Sequence, residues 1–419
     1  MKALQEEKLR ELLVYLQEKS PFYQRLFKEN NIDIQKITTL EDLTSIPTTS
    51  KDDLQKYNDD FLCVPKTEII DYATTSGTLG DPVTFGLTDK DLDRLAYNEY
   101  ASLRCAGIQK GDVVQLMTTM DRRFMAGLAY FLGLRKIGAG IIRVGAGIPE
   151  LQWDSILKYQ PKYLIAVPSF LLKMIEFAEN KHIDYQNSSV KGVICIGEAL
   201  REQDFSNNLL AQKIISKWKN LKLYSTYAST EMSTTFTECE FMHGGHHQPE
   251  LIITEILDEN ENLVKEGEYG ELTITTLGVE AMPLLRFRTG DIVYMTSQPC
   301  ECGRETARIS PVLGRKQQMI KYKGTTLYPP VLMNMLNCFD QVENYIIEIN
   351  SNEILTDEIL IKIGAKNPSE ELKKEISNHF RAKIRVVPKI EFHNIEELNR
   401  LIFPPQSRKP IRFIDKREK

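Results

Sequence analysis

The chain has 419 residues, 42% of them hydrophobic and 26% charged, a globular composition too long for one core, so two or three domains are expected. Its 53 Lys and Arg against 58 Asp and Glu give a net charge of -5, which argues against a nucleic-acid or anionic-membrane surface and favours small-molecule partners. No signal-peptide core opens the chain, and the apolar stretch 126–148 is cut by Arg135, Lys136 and Arg143, so a soluble, cytoplasmic protein is expected. Seven cysteines in such a chain predict reduced thiols or metal ligands and no disulfide framework.

Leu9, Leu12, Leu13 and Leu16 share one face of an amphipathic helix that Ser20-Pro21 ends, and this helix should pack on the main domain. Ser50 reads as the N-cap of the next helix. The run Thr74-Thr75-Ser76-Gly77-Thr78-Leu79-Gly80-Asp81-Pro82 follows. Its glycines, hydroxyls and N–H groups suit a loop around a phosphate, or an ordinary hairpin loop between two strands. A Walker-type ATPase is excluded, because Asp81-Pro82 stands where that motif needs Lys followed by Ser or Thr.

Helix-like sequence at 89–106 then leads into an apolar strand at 112–117. Helices at 126–136 and 149–159 alternate with short apolar strands at 140–144, 163–167 and 193–196, which predicts a layered α/β domain. From about residue 251 alternating segments at 252–256, 270–275 and 291–295 predict a β-rich subdomain. A boundary falls near Gly314-Arg315, after which the basic turn Lys321-Tyr322-Lys323-Gly324 precedes a small α+β tail. The fold expected is therefore α/β, with a large N-terminal domain over 1–314, its β-rich subdomain at about 251–314, and a small C-terminal domain over 315–419.

Several motifs succeed the 74–82 loop in one order: Gly197-Glu198-Ala199-Leu200, Tyr227-Ala228-Ser229-Thr230-Glu231, Arg288-Thr289-Gly290-Asp291, Gly314-Arg315, and Lys409 in Ser407-Arg408-Lys409-Pro410. Together they resemble the adenylate-forming, AMP-binding superfamily. With Pro283-Leu284-Leu285-Arg286-Phe287-Arg288 and Cys300-Glu301-Cys302-Gly303-Arg304, their wording is most similar to the phenylacetate-CoA ligase family. The resemblance runs from Ser20-Pro21-Phe22-Tyr23 to Arg412-Phe413-Ile414-Asp415.

That resemblance implies an enzyme that uses ATP and Mg²⁺ to convert a carboxylic acid to acyl-AMP, with loss of pyrophosphate, and then passes the acyl group to CoA. It places Thr75, Ser76, Gly77, Thr78 and Gly80 on the β and γ phosphates. Thr230 and Glu231 stand at the α-phosphate, with Glu231 also ligating Mg²⁺. Adenine lies against Gly197, Glu198, Ala199 and Tyr227, Asp291 accepts from the ribose hydroxyls, and Ala228, Ser229 and Arg315 complete the nucleotide-binding positions. Lys409 is the adenylation lysine. Phe124, Met125 and Ala126 fall at the acyl pocket and suit an aryl or apolar acid, while Arg122 and Arg123 read as surface charges or as partners for a second carboxylate or the CoA phosphates. A homodimer is implied, and a C-terminal domain that rotates between half-reactions about a hinge at Arg315 and Gln317. Two departures stand out: Lys316-Gln317-Gln318 replaces an Arg-x-Asp-Asp run, and Asp81 replaces a frequent lysine. A carrier-protein or amine acceptor, or a nucleotide-binding regulatory protein without turnover, is the alternative.

Cys239, His246, Cys300 and Cys302 offer three sulfurs and one imidazole, the closed tetrahedral set of a structural Zn²⁺. His243 or His247 could stand in for His246, and the competing reading is three buried thiols beside a solvated histidine loop. Cys63, Cys105, Cys195 and Cys338 read as buried thiols without ligand roles.

Overall fold

The computed structural model describes residues 1–75, 83–322, 325–351, 357–404 and 410–417. They form two compact units, Met1–Thr289 with Val293–Pro311, and Gly290–Ile292 with the chain from Val312 onward.

In the larger unit, α1 (Lys2–Lys19) buries Leu9, Leu12, Leu13 and Leu16, the face its leucine spacing defines. Gln5 Nε2 ties that helix to the Ile252 carbonyl at 3.1 Å. Ser20 then caps α2 (Pro21–Glu29), with proline where no N–H is needed. The helix α3 (Lys51–Lys56) opens on a capping box in which Ser50 and Asp53 satisfy each other's backbone N–H groups. The strands β1 (Asp71–Thr74) and β2 (Thr84–Leu87) pair antiparallel, and Thr88 with Asp91 builds a second capping box at the start of α4 (Asp89–Cys105).

The chain then alternates through β3 (Val113–Leu116), α5 (Met125–Ile137), β4 (Gly140–Arg143), α6 (Pro149–Tyr159), β5 (Tyr163–Ala166), α7 (Pro168–Asn180), β6 (Gly192–Cys195), α8 (Leu209–Lys217) and β7 (Lys222–Ser229). These strands run parallel. Successive residues feed opposite cores: Leu164, Val193 and Leu223 face Trp153 and Trp218 on one side, while Ile165, Ile194 and Tyr224 face Leu103 and Leu134 on the other. Both faces are thus covered, which explains why the strands read as unbroken apolar runs. Helices α4 and α5 come close enough that a Cβ on Gly133 would stand 2.4 Å from the Cβ of Glu99. Only glycine fits there.

Beyond β7 the direction reverses. The strands β8 (Thr234–Thr237), β9 (Gly245–His246), β10 (Ile252–Leu257), β11 (Gly270–Thr276), β12 (Phe287–Val293), β13 (Met295–Thr296) and β14 (Arg308–Ile309) follow. Among the described residues nine strands form one sheet in the order β13-β14-β9-β8-β7-β6-β5-β3-β4. The strands β10 and β11 pair antiparallel elsewhere, from Ile252↔Thr276 to Leu257↔Glu271. The strand expected at 291–295 needs correction. It begins earlier, at Phe287, and ends at Val293, because the Tyr294 N–H leaves the ladder for Ser310 Oγ at 3.0 Å.

The smaller unit contains β15 (Gly314–Arg315), β16 (Ile320–Tyr322), β17 (Thr325–Leu327), α9 (Pro329–Asn337), β18 (Val342–Ser351), β19 (Asp357–Ala365), α10 (Glu370–Ile384), β20 (Lys389–Phe392), α11 (Ile395–Ile402) and β21 (Phe413–Asp415). Four of its strands order as β20-β19-β18-β21, with Ile347, Ile349, Ile361 and Ile363 against Leu372, Ile376 and Phe380 of α10.

One buried ion pair clamps the parallel sheet to its antiparallel extension. The Arg201 side chain is 2% exposed and donates to Glu238 at 3.0 and 2.8 Å and to the Leu223 carbonyl at 2.7 Å. Glu238 also accepts from the Ser225 N–H at 2.8 Å. Removing one partner strands the other charge in the interior, so Arg201→Ala should destabilise the larger unit by about 3–5 kcal/mol, read as a lowered urea midpoint.

Candidate functional site

The carboxyl ends of parallel strands are where α/β sheets present ligand-binding loops. At the end of β6, Gly197 takes φ 77°, a left-handed turn that glycine enters without strain. Glu198 next to it accepts from the Ser169 N–H and the Ser169 hydroxyl, both at 2.8 Å. Its carboxylate is thereby fixed to the first turn of α7, leaving the backbone of Gly197 and Ala199 exposed to a ligand.

Strand β7 lies alongside with Cys195 opposite Ser225, so Tyr227 reaches the same edge as Gly197. The segment Tyr227-Ala228-Ser229-Thr230-Glu231 runs off β7 into a tight reversal. Ser229 Oγ accepts from the Met232 N–H at 3.2 Å, and the Ser233 hydroxyl donates to the Thr230 carbonyl at 3.2 Å. Glu231 stands half-buried on this turn, and the Tyr227 ring leans on Phe236, 6.0 Å away. The sequence alone reads Glu231 equally well as a helix-start acid; no helix begins there, and its place is a hairpin turn.

The hydroxyl- and glycine-rich loop joins β1 to β2. Thr75 closes its base, donating its N–H to the Val83 carbonyl and accepting the Val83 N–H on Oγ1, each at 3.0 Å. Ser76, Gly77, Thr78 and Gly80 lie outside the described residues, as does Lys409. The Thr74 N–H donates to the Arg123 carbonyl at 3.0 Å, which brings the loop base to the segment after β3 where the acyl pocket is expected. There Arg122 and Arg123 are exposed with φ of 56° and 57°. Phe124 and Ala126 are half-buried, while Met125 packs with Ala73, Leu87, Leu95 and Ala129. In the smaller unit, Asp291 pairs across the ladder with Arg315, whose Nε lies 3.3 Å from its carboxylate.

Cys239, His246, Cys300 and Cys302 converge, their ligand atoms all within 4.8 Å of one another. Cys239 Sγ lies 3.6 Å from Cys300 Sγ, and Cys302 Sγ lies 3.5 Å from His246 Nε2. His246 Nδ1 meets the Thr306 hydroxyl at 3.2 Å, a partner no sequence motif marks; it fixes the ring so that Nε2 faces the sulfurs. Burial, with Arg304 and Arg308 nearby, pushes His246 down to about 4, so the imidazole is neutral and able to ligate. Burial pushes the Cys239 thiol up to about 12. Burial opposes ionisation of Cys302 too, but the Arg304 N–H and side chain draw its thiol below the ordinary range. The donor set and its spacing fit a tetrahedral Zn²⁺.

The other two histidines are placed elsewhere. His243 is exposed, and its carbonyl accepts from Arg308 at 2.7 Å. His247 stacks on Phe236 and bonds the Ile252 carbonyl at 2.8 Å. Of the remaining cysteines, Cys63 and Cys195 are buried and Cys105 partly so, but Cys338 is exposed, contrary to expectation.

The AMP-binding enzyme family model matches residues 34–281. The phenylacetate-coenzyme A ligase of Thermus thermophilus is 30% identical over 373 residues, 88% of this chain and 82% of the relative. That of Escherichia coli is 28% identical, covering 90% and 85%. Among solved structures, 2-hydroxyisobutyryl-CoA ligase in the postadenylation state superposes with a TM-score of 0.82 at 23% identity, over 98% of this chain and 89% of that one, which speaks for the fold. The chain therefore belongs to the AMP-binding enzyme family, on the branch of the phenylacetate-coenzyme A ligases.

The histidine assignment is testable through pH. His247 has its pKa lowered by burial from 6.5 to about 4, so between those values the unfolded chain holds a proton that the folded chain does not. Its contribution is complete above the unfolded value and is lost as pH falls toward the folded one, on the order of 3 kcal/mol for a shift of this size. Urea midpoints should fall on acidification through that window, and His247→Phe should remove part of the slope.

Proposed function

We propose that the protein is an AMP-forming acid–CoA ligase, which activates a carboxylic acid of the arylacetate type with ATP and transfers the acyl group to the thiol of CoA. The observation that carries this reading is the 30% identity to a phenylacetate-coenzyme A ligase across 88% of the chain. A carboxylate is a poor acyl donor because it is anionic and lacks a leaving group. Joining it to the α-phosphate of ATP, with pyrophosphate expelled from the α-phosphorus, supplies one, and AMP departs when the thiol attacks the acyl carbon. The first step crowds two anions together, so donors and cations aimed at the transferring phosphorus supply most of the catalysis.

In this reading Thr230 and Glu231 act at the α-phosphate, with Glu231 holding Mg²⁺. Thr75 and the loop 76–80 hold the outer phosphates, Gly197, Glu198, Ala199 and Tyr227 flank adenine, and Ala228 and Ser229 complete the nucleotide-binding positions. Asp291 takes the ribose hydroxyls with Arg315 beside it, Phe124 to Ala126 border the acyl group, and Lys409 supplies the adenylating cation. The C-terminal domain, 315–419, is the part that moves between half-reactions. We take the protein to be a cytoplasmic homodimer; among the described residues no helix is long and apolar enough to cross a membrane.

Pyrophosphate release from ATP and Mg²⁺, measured over aryl, aliphatic and dicarboxylic acids with and without CoA, tests the proposal. An arylacetate should stimulate release, and CoA should be acylated. Lys409→Ala should slow adenylation by about a hundredfold or more yet still make thioester from supplied acyl-adenylate. Equal loss in both steps contradicts the role given to Lys409, and silence over the whole panel contradicts the ligase.

Cys239, His246, Cys300 and Cys302 are proposed to hold a structural Zn²⁺, whose closed four-ligand set leaves no position for chemistry. Freshly purified protein should carry about one zinc per chain. Cys302→Ser should lower both the metal content and the melting temperature, whereas metal-free protein of unchanged stability would sink the assignment.

A further inference from the structure

The segment Gly197-Glu198-Ala199-Leu200 leaves β6 at the carboxyl edge of the parallel sheet, with Gly197 and Ala199 exposed and Leu200 buried in the core beneath. A Cβ on Gly197 would meet no heavy atom within 4 Å, so the space over that residue is open. Both flanks of the segment are pinned by side chains outside the family motifs. Ser169, in the first turn of α7, gives its N–H to one oxygen of Glu198 and its hydroxyl to the other. Asn208 holds the opposite flank; it is 3% exposed and is the N-cap of α8. Its Oδ1 accepts from the Ala211 N–H at 3.0 Å, its Nδ2 donates to the Ala199 carbonyl at 2.8 Å, and its N–H donates to the Leu200 carbonyl at 2.9 Å.

These two pins stand on a packed base. Leu171, Met174 and Ile175 of α7 share one buried core with Ala211 and Ile214 of α8, and Leu200 is part of it. A helix cap needs only the Oδ1 of Asn208, a task that aspartate or serine performs as well. The amide adds a donor, and that donor goes to Ala199. Ser169 likewise adds a hydroxyl where the N–H groups of a helix start already favour a carboxylate. The added bonds fix a stretch of exposed backbone before any ligand arrives, whereas ordering it at binding would subtract from affinity. They also keep Glu198 from standing loose beside a polyphosphate, where like charges repel.

We propose that Ser169 and Asn208 are positioning residues for the nucleotide: through Glu198 and the Ala199 carbonyl they hold the backbone of 197–200 in the conformation that receives the base of ATP. The proposal rests on the ligase reading above, in which this segment flanks adenine. Neither side chain needs to touch ATP, because each acts through the segment it fixes. Losing either bond therefore weakens ATP binding and leaves the chemical step and the binding of the acid in place.

The test measures the Kd of ATP by calorimetry together with kcat and the KM values for ATP and for the acid, with melting temperatures as the check on folding. Ser169→Ala removes the hydroxyl, and Ser169→Thr keeps it. Asn208→Asp still caps α8 but has no proton to give to the Ala199 carbonyl. Ser169→Ala and Asn208→Asp should each raise Kd and KM for ATP about tenfold, with kcat and the KM for the acid within a few-fold of wild type. Ser169→Thr should bind ATP as wild type does. Unchanged ATP affinity in Ser169→Ala and Asn208→Asp overturns the proposal. So does a joint decline of ATP affinity, kcat, acid binding and melting temperature, the pattern of a merely structural role. If Asn208→Asp does not fold, Asn208→Ser, which caps through its hydroxyl, serves the same comparison. Calorimetry needs no acid, so a wild type that binds ATP but turns over no acid removes the ligase while the Kd values still decide the roles of Ser169 and Asn208. A wild type that binds no ATP removes both.

Discussion

Strand β7 is at once the last parallel strand of the sheet and the first arm of an antiparallel hairpin, and the larger unit is built around that double role. Its parallel partner β6 delivers Gly197 to Ala199 at the same edge where β7 ends in Tyr227 to Glu231. The reversal that follows points β8 back through the protein toward Glu238 and Cys239. One backbone path therefore connects the turn that carries Glu231 to the Cys/His cluster. The buried pair Arg201 and Glu238 locks that path from the inside, where a lost partner would be costly.

The polar groups packed behind the hairpin follow the same logic. Asn98, Glu99 and Ser102 on α4 meet Thr235 and Thr237 on β8 through a chain of hydrogen bonds, including Ser102 to Thr237 at 2.5 Å and Thr226 to Thr237 at 2.8 Å. Networks of this kind hold a unique geometry when every member is satisfied. Here one member, the Oε2 of Glu99, is left without a partner among the described residues. In the Cys/His cluster the physics has the same form: the buried Cys239 thiol and the desolvated His246 imidazole resist charge by themselves, and a divalent cation at the centre of the cluster would reverse that balance.

Much of this was legible beforehand. The leucine spacing of α1, the Ser50 cap and the apolar runs at 163–167 and 193–196, found as β5 and β6, are local or periodic signals, and local signals survive folding. The strand expected at 291–295 is found but divided between β12 and β13 at Tyr294, which gives its N–H to Ser310, a residue sixteen positions away. Choosing among His243, His246 and His247 also lay beyond sequence reading, since the three sit within five residues and only packing against Thr306, Phe236 and the Ile252 carbonyl separates them. Glu99 carried no signal at all: on a polar-looking helix it reads as a solvated acid, and the close approach permitted by Gly133 helps to bury it.

By itself the sequence determined the alternation of helices and strands, the order of the family motifs and the number of cysteines and histidines that could meet, because these depend on residue type and spacing. The tertiary structure alone decided which side chains share a space: the turn that carries Glu231, the carboxylate of Glu198 fixed to α7, the histidine that joins the three sulfurs, and the unpaired oxygen of Glu99. Those outcomes depend on burial and on partners far away in the chain, and desolvation acts only once the chain has closed around a group.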